Sequence, residues 1–181
     1  MKKPQMNTDL YLVICQISFG VAPMPHQVHP CPSVFICGSI LSQRLNMLRI
    51  KVGSLEFTAR REEAAAPRTC KAFRGLLPLR NKIIQARWSG EAGWVPLGGL
   101  DLGIGHENHT SHPAPGDILL YPGGISETEI LFPYGPTLFA SKAGQLAGNH
   151  FLTIVDGREH FQELGRLLLW EGAQDILFES A

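Results

Sequence analysis

From Met47 onward the chain alternates apolar and polar positions in short blocks. Leu48, Ile50 and Val52 alternate with Arg49 and Lys51; after Gly53-Ser54, Leu55, Phe57 and Ala59 alternate with Glu56 and Thr58. A period of two sends successive side chains to opposite faces of a strand, so the two blocks predict a hairpin with one buried and one wet face. Pro67 suits the first turn of a helix, where its missing N–H would have been unpaired. The spacing predicts a helix over residues 67–76, presenting Thr69, Cys70, Phe73 and Leu77 on one side and ended by Gly75 and Pro78.

Beyond that helix the pattern returns to strands. Residues 79–88 carry Ile83, Ile84 and Ala86, Ser89-Gly90 turns the chain, and residues 91–95 lead into Pro96. Residues 97–104 are Gly-rich and read as a loop. Residues 118–121 and 125–132 read as two strands separated by Pro122-Gly123-Gly124, a turn in which glycine supplies positive φ and proline fixes φ. Residues 142–148 read as loop or turn. Residues 149–155 predict a strand with His150, Leu152 and Ile154 on one face, and Asp156-Gly157 is a strong turn signal. A second helix is predicted over 160–170, with Phe161, Leu164, Leu167 and Leu168 as its inner stripe, and residues 175–179 close the chain as a strand burying Ile176 and Phe178. Many short strands with only two helices predict a mostly β fold, a closed barrel whose open ends are plugged by helices; closure also removes unpaired edges.

Composition narrows the picture. The chain has 181 residues, 44% hydrophobic and 18% charged, which is a one-domain length with enough apolar content for a core. Its formal net charge is zero, so nothing argues for nucleic acid as a partner, whereas homo-oligomerisation is made easier. Cys15, Cys31, Cys37 and Cys70 form no convincing metal or disulfide framework, and a reducing, cytoplasmic setting is the simpler expectation. Residues 1–46 differ from the rest. Lys2 and Lys3 precede a mildly apolar run over residues 10–22, and a Pro- and His-bearing stretch follows. The run is too short to span a membrane. Gly20 and Ala22 give it the outline of a signal peptide, which Asp9 and Gln16 weaken. The expectation is an N-terminal extension over 1–46 that is disordered or not translated, and one barrel domain over 47–181.

The candidate chemistry lies mostly in residues 115–134. On an extended strand Glu127 and Glu129 share one face, with carboxylates roughly 6 to 7 Å apart, opposite Thr128, Ile130 and Phe132. Ordinary solvated strand decoration is the competing account. A second cluster, Arg87, Trp88, Glu91 and Trp94, offers aromatic walls with one cation and one anion, as a small-molecule pocket would; two core tryptophans flanked by exposed charges is the alternative. His106, His109 and His112 recur at spacings of three, but Ser111 and Pro113 disfavour a helix, and solvated loop histidines are preferred to a metal site. No phosphate-binding loop, dinucleotide fingerprint or nucleophile elbow occurs, and no cofactor is implied.

Three blocks carry a family resemblance: residues 86–91 (ARWSGE), 111–130 (SHPAPGDILLYPGGISETEI) and 144–151 (GQLAGNHF). They resemble an uncharacterised bacterial family with a cyclophilin-like domain, and the APRTCKAF segment at 66–73 resembles the opening of the cyclophilin fold itself. The resemblance implies an eight-stranded barrel with two helices over about residues 47–179. It does not imply prolyl isomerase activity, because the glutamine-glycine segment of true cyclophilins is replaced here by residues 88–97. Cyclophilin-like domains also occur in subunits of amide- and lactam-hydrolysing enzymes, so a hydrolase or hydrolase-associated role is the alternative on fold analogy. The leading expectation is binding of a small polar or anionic molecule in a barrel-mouth pocket, with Arg87, Trp88, Trp94, Tyr121 and Glu129 as ligand-binding residues. In the enzymatic alternative, Glu127, Glu91 and His150 are the catalytic candidates.

Overall fold

The computed structural model describes residues 46–181, so the expected extension lies outside the described residues apart from Asn46, as do Cys15, Cys31 and Cys37. The first hairpin forms as its alternation dictates, with β1 at Met47–Val52 and β2 at Leu55–Arg61 paired antiparallel. Helix α1 spans Pro67–Arg74, with Pro67 in its first turn and Gly75 at its C-cap. Strands β3 (Leu79–Gln85), β4 (Gly90–Gly98), β6 (Asp117–Tyr121), β7 (Thr128–Thr137), β10 (Gly148–Asp156) and β11 (Gln174–Ser180) complete the wall. The short strand β5 (His109–Thr110) lies beside β10, and β8 (Ala140–Ser141) pairs with β9 (Gly144–Gln145) in a small separate hairpin.

The strands run in the order β2-β1-β11-β3-β4-β7-β6-β10, and β10 pairs back onto β2. The result is a closed antiparallel barrel of eight strands with two helical segments, a cyclophilin-like architecture. Its interior is filled by the inward set of each strand, including Leu48, Ile50, Phe57, Val95, Ile130, Phe132 and Leu152. Helix α1 seats Phe73 against Phe151 and Phe178, with ring centroids 4.8 and 5.4 Å apart. Cys70 packs beside them as a small apolar group; burial pushes its thiol up to about 11.

A second, smaller apolar cluster lies outside that interior. Leu119, Tyr121, Leu131 and Ala92 cluster with Phe139 and Leu146, and Trp94 packs against them. Leu131 alternates with the interior residues Ile130 and Phe132, so this cluster covers the outward face of β4, β7 and β6. The segment 138–147 forms its lid. Ser89 holds that segment down: its hydroxyl donates to the Ala140 carbonyl and accepts from the Ala140 N–H, both at 3.1 Å.

Four local expectations change. Strand β3 ends at Gln85, which leaves Trp88 in the following turn, and β7 begins at Thr128, which leaves Glu127 before the strand. The second helix is composite: a tight turn at Arg158–His160, α2 at Phe161–Arg166, and a wider helical turn at Leu167–Glu171. Leu164 and Leu168 still face inward, with Phe161 and Leu167 packed beside them. Strand β10 shifts register against β6 between His150 and Leu152. The irregularity lets Phe151 and Leu152 both be buried, and it places His150 with Thr153, not with Leu152 and Ile154 as strict alternation had it.

Candidate functional site

A cleft of about 480 Å³ opens on the outward face of β4 and β7. It is lined by Trp88 and Trp94, by Ser126, Glu127 and Glu129, and by Lys142 from the β8–β9 turn. Strand pairing explains the assembly: Trp94 stands opposite Leu131 and Pro96 opposite Glu129, so Trp94 and Glu129 are diagonal neighbours on one face. The turn after β3 brings Trp88 alongside, its ring 5.8 Å from that of Trp94 and inclined at 74°. Trp88 remains 52% exposed, whereas Glu129 is only 3% exposed. The two rings form an apolar corner with a carboxyl buried next to it.

That carboxyl is poorly compensated. Glu129 Oε1 and Trp94 Nε1 are both buried, and neither has a hydrogen-bond partner. Burial pushes the Glu129 carboxyl above the ordinary range, and the Glu127 charge pushes it the same way. Trp94 and Ser126 lie near enough to draw it partly back, but the indole N–H does not complete a bond to it. An unpaired buried donor beside an unpaired buried acceptor is costly, and native interiors rarely keep such a pair without use for it.

The other sequence-derived candidates go elsewhere. The expected barrel-mouth position is corrected: Glu129 and Trp94 sit with the outward-facing cluster, because Ile130 and Phe132 occupy the interior face of β7. Arg87 and Glu91 line a separate cleft of about 330 Å³ with Gln85, Tyr134 and Gln162, beside α2. There Tyr134 hydrogen-bonds Gln85, and the Glu91 carboxylate lies against Gly135, where no side chain would fit. Burial raises the Tyr134 hydroxyl, with Gln85 opposing and Glu91 reinforcing the shift.

His150 belongs to a third group. Its Nε2 lies 2.9 Å from the Thr153 hydroxyl and 3.5 Å from Asp117 Oδ1. Thr153 donates to Glu62 Oε1 at 2.7 Å, and Arg60 donates to the same oxygen at 2.8 Å. Burial would raise the Glu62 carboxyl, but these hydrogen bonds hold it below its ordinary value. Tyr121 is buried behind the tryptophan cleft. Its hydroxyl accepts the Ile125 N–H at 3.2 Å, and Gly124 (φ 132°) leaves room for that approach, so Tyr121 shapes the cleft's rim loop from behind.

His106 and His109 stack loosely, 5.3 Å apart. Among the described residues no group of three or more His, Cys, Asp or Glu is placed to hold a metal, and no helix is long and apolar enough to cross a membrane. The sequence alone does not mark Lys142, Ser141 and Ser126 as cleft residues. The available signal was the unbroken apolar runs at 118–121 and 130–132, which are what strands covered on both faces look like.

The barrel is shared with solved structures. The structure of McbB in complex with tryptophan superposes with a TM-score of 0.55 at 17% identity, covering 73% of this chain and 44% of McbB. The chain thus spans less than half of that protein. The solution structure of the hypothetical protein AF2241 from Archaeoglobus fulgidus gives a TM-score of 0.51 at 21% identity, covering 76% of this chain and 96% of that one. Identities this low speak to the fold alone. No curated protein matches the chain. Residues 48–180 match DUF3830, described as a protein of unknown function, and the chain belongs to that family.

Proposed function

We propose that this chain is a small-molecule-binding barrel whose ligand occupies the cleft of Trp88, Trp94, Glu127 and Glu129. The observation that carries the reading is the Glu129 carboxyl, 3% exposed at the edge of an open cleft with one oxygen lacking any hydrogen-bond partner. Apolar walls with a few convergent polar groups are the usual make-up of a ligand site. Arg87 lies in the other cleft, so an anionic ligand would face Glu127 and Glu129 with only Lys142 to balance them. McbB, which shares the barrel over 44% of its own length, is described in complex with tryptophan.

A hydrolytic role on a small amide or lactam is the second reading, and the burial of Glu129 favours it. A carboxyl raised above its ordinary value by burial is suited to general-acid work, while the exposed Glu127 lies in the same cleft as a second carboxyl group. His150 and Glu91 have no part in it, because neither lines this cleft.

The three tryptophans allow a direct test. In a small-molecule screen read by the indole N–H resonances of labelled protein, binders are expected to move Trp88 and Trp94. Trp170, 77% exposed on the second helix, serves as the internal control. Binders that move only Trp170, or that bind undiminished to Trp94→Phe, contradict the assignment. Turnover of an amide or lactam that is lost in Glu129→Gln with the fold intact would favour the second reading.

A further inference from the structure

The charge and hydrogen-bonding of the cleft select among ligand classes, given that the cleft is the ligand site. Trp94 Nε1–H and Glu129 Oε1 are a buried donor and a buried acceptor that lie near one another without a completed hydrogen bond, so a ligand that inserts between them must bring an acceptor to the first and a donor to the second. A cation would serve the carboxyl and leave the indole N–H unmatched. An anion would serve the indole and meet Glu129, with Glu127 also in the cleft. A neutral group carrying a donor and an acceptor side by side matches both. Beside that pair, Trp88 and Trp94 make a corner of two rings inclined at 74°, extended by Ile125 and Ala143, in a space of about 480 Å³. Such a corner offers apolar walls to a flat ring.

We infer that the cleft recognises a flat, neutral amide, its N–H donating to Glu129 Oε1 and its carbonyl accepting from Trp94 Nε1, with its ring against the tryptophan corner. Glu129 and Trp94 are thereby the residues that set specificity, and Lys142 and Glu127 act on whatever extends beyond the amide.

Four probes that share one phenyl ring test this: benzamide, N,N-dimethylbenzamide, benzoate and benzylammonium, each titrated to millimolar concentration while the three indole resonances are followed. Benzamide is expected to move Trp94 and Trp88 and to bind at least about ten-fold more tightly than the other three, the effect of one well-made hydrogen bond. Trp94→Phe is expected to cost benzamide about ten-fold, whereas Glu129→Gln, which keeps a carbonyl acceptor, costs it no more than about three-fold. Benzylammonium binding tightest, with loss of that binding in Glu129→Gln, overturns the amide assignment in favour of a cation site, and benzoate binding tightest overturns it in favour of an anion site. In both cases Trp88 and Trp94 still respond, so the cleft stands as the ligand site. Equal binding of benzamide and its dimethyl analogue also overturns the amide edge. No response of either indole to any probe overturns both the ligand class and the cleft.

Discussion

Glu129 and Glu62 are carboxyls withdrawn from solvent to different degrees, each beside a neighbour able to hydrogen-bond it, and the protein treats them oppositely. Around Glu62 the groups are paired with one another: Thr153 and Arg60 donate to it, and His150 sits on Thr153 with Asp117 close by. Nearby on β10, Asn149 is saturated too, donating to Thr69 Oγ1 and the Gly105 carbonyl and accepting the Glu107 N–H. Around Glu129 the match is incomplete, with an acceptor and a donor both left over. Residue types therefore do not separate a site from a scaffold here. His150 with two carboxylates resembles machinery more than two tryptophans and a glutamate do, yet it is the second group that retains unused hydrogen-bonding capacity.

Breaking the saturated region should have the largest effect. Asn149→Ala strands three partners at once and is expected to destabilise the fold by about 3 kcal/mol in chemical denaturation. A loss under about 1 kcal/mol would mean that water replaces the side chain and that the region is less closed than its bonding indicates.

Glu62→Gln is expected to cost about 1 kcal/mol at neutral pH, because the Thr153 hydrogen bond loses its ionised acceptor and the Arg60 bond loses its ion pairing. Glu62 is held below its ordinary value in the folded state, so its contribution is present above the unfolded carboxyl range and is lost as pH falls through the folded value. The gap between parent and variant should therefore close in acid.

The sign reverses at the cleft. Glu129 is raised on folding, so it favours the fold below the unfolded carboxyl range and loses that advantage as pH rises through its folded value. Glu129→Gln should then be slightly more stable than the parent at neutral pH, by under about 1 kcal/mol, with the advantage vanishing on acidification. A loss of stability at neutral pH would show that the carboxylate is already well paired. Smallest of all, Trp88→Ala should leave stability within about 0.5 kcal/mol, as Trp88 is half exposed, while weakening any ligand of the cleft.

Much of the architecture could be read from the chain. Leu48, Ile50 and Val52 against Leu55, Phe57 and Ala59 are local alternations, and local alternation suffices to place a hairpin. The Pro67 start and Gly75 stop of α1 are equally local. The site was only half legible. Trp88 and Trp94 share a cleft with Glu127 and Glu129, but Arg87 turns away from Trp88 into another cleft. Adjacent residues on a turn share no fixed face, so that parting leaves no sequence signal. The register shift in β10 that moved His150 arises from pairing with β6, a partner strand not specified by β10's own residues. The segment 138–147 reaches the cleft beside Glu129 while Ser89 holds it at Ala140, a contact spanning 51 positions of sequence that no local pattern announces.

The difference between the two carboxyls is accessible in one experiment, a carbon-detected NMR titration following the Glu129 and Glu62 carboxyl resonances together in ligand-free protein. The account predicts that Glu129 takes up its proton at higher pH than an ordinary glutamate while Glu62 holds out to lower pH. If Glu129 titrates with Glu62 or below it, its charge is already answered inside the chain, and the cleft has no unmet chemistry to offer a ligand.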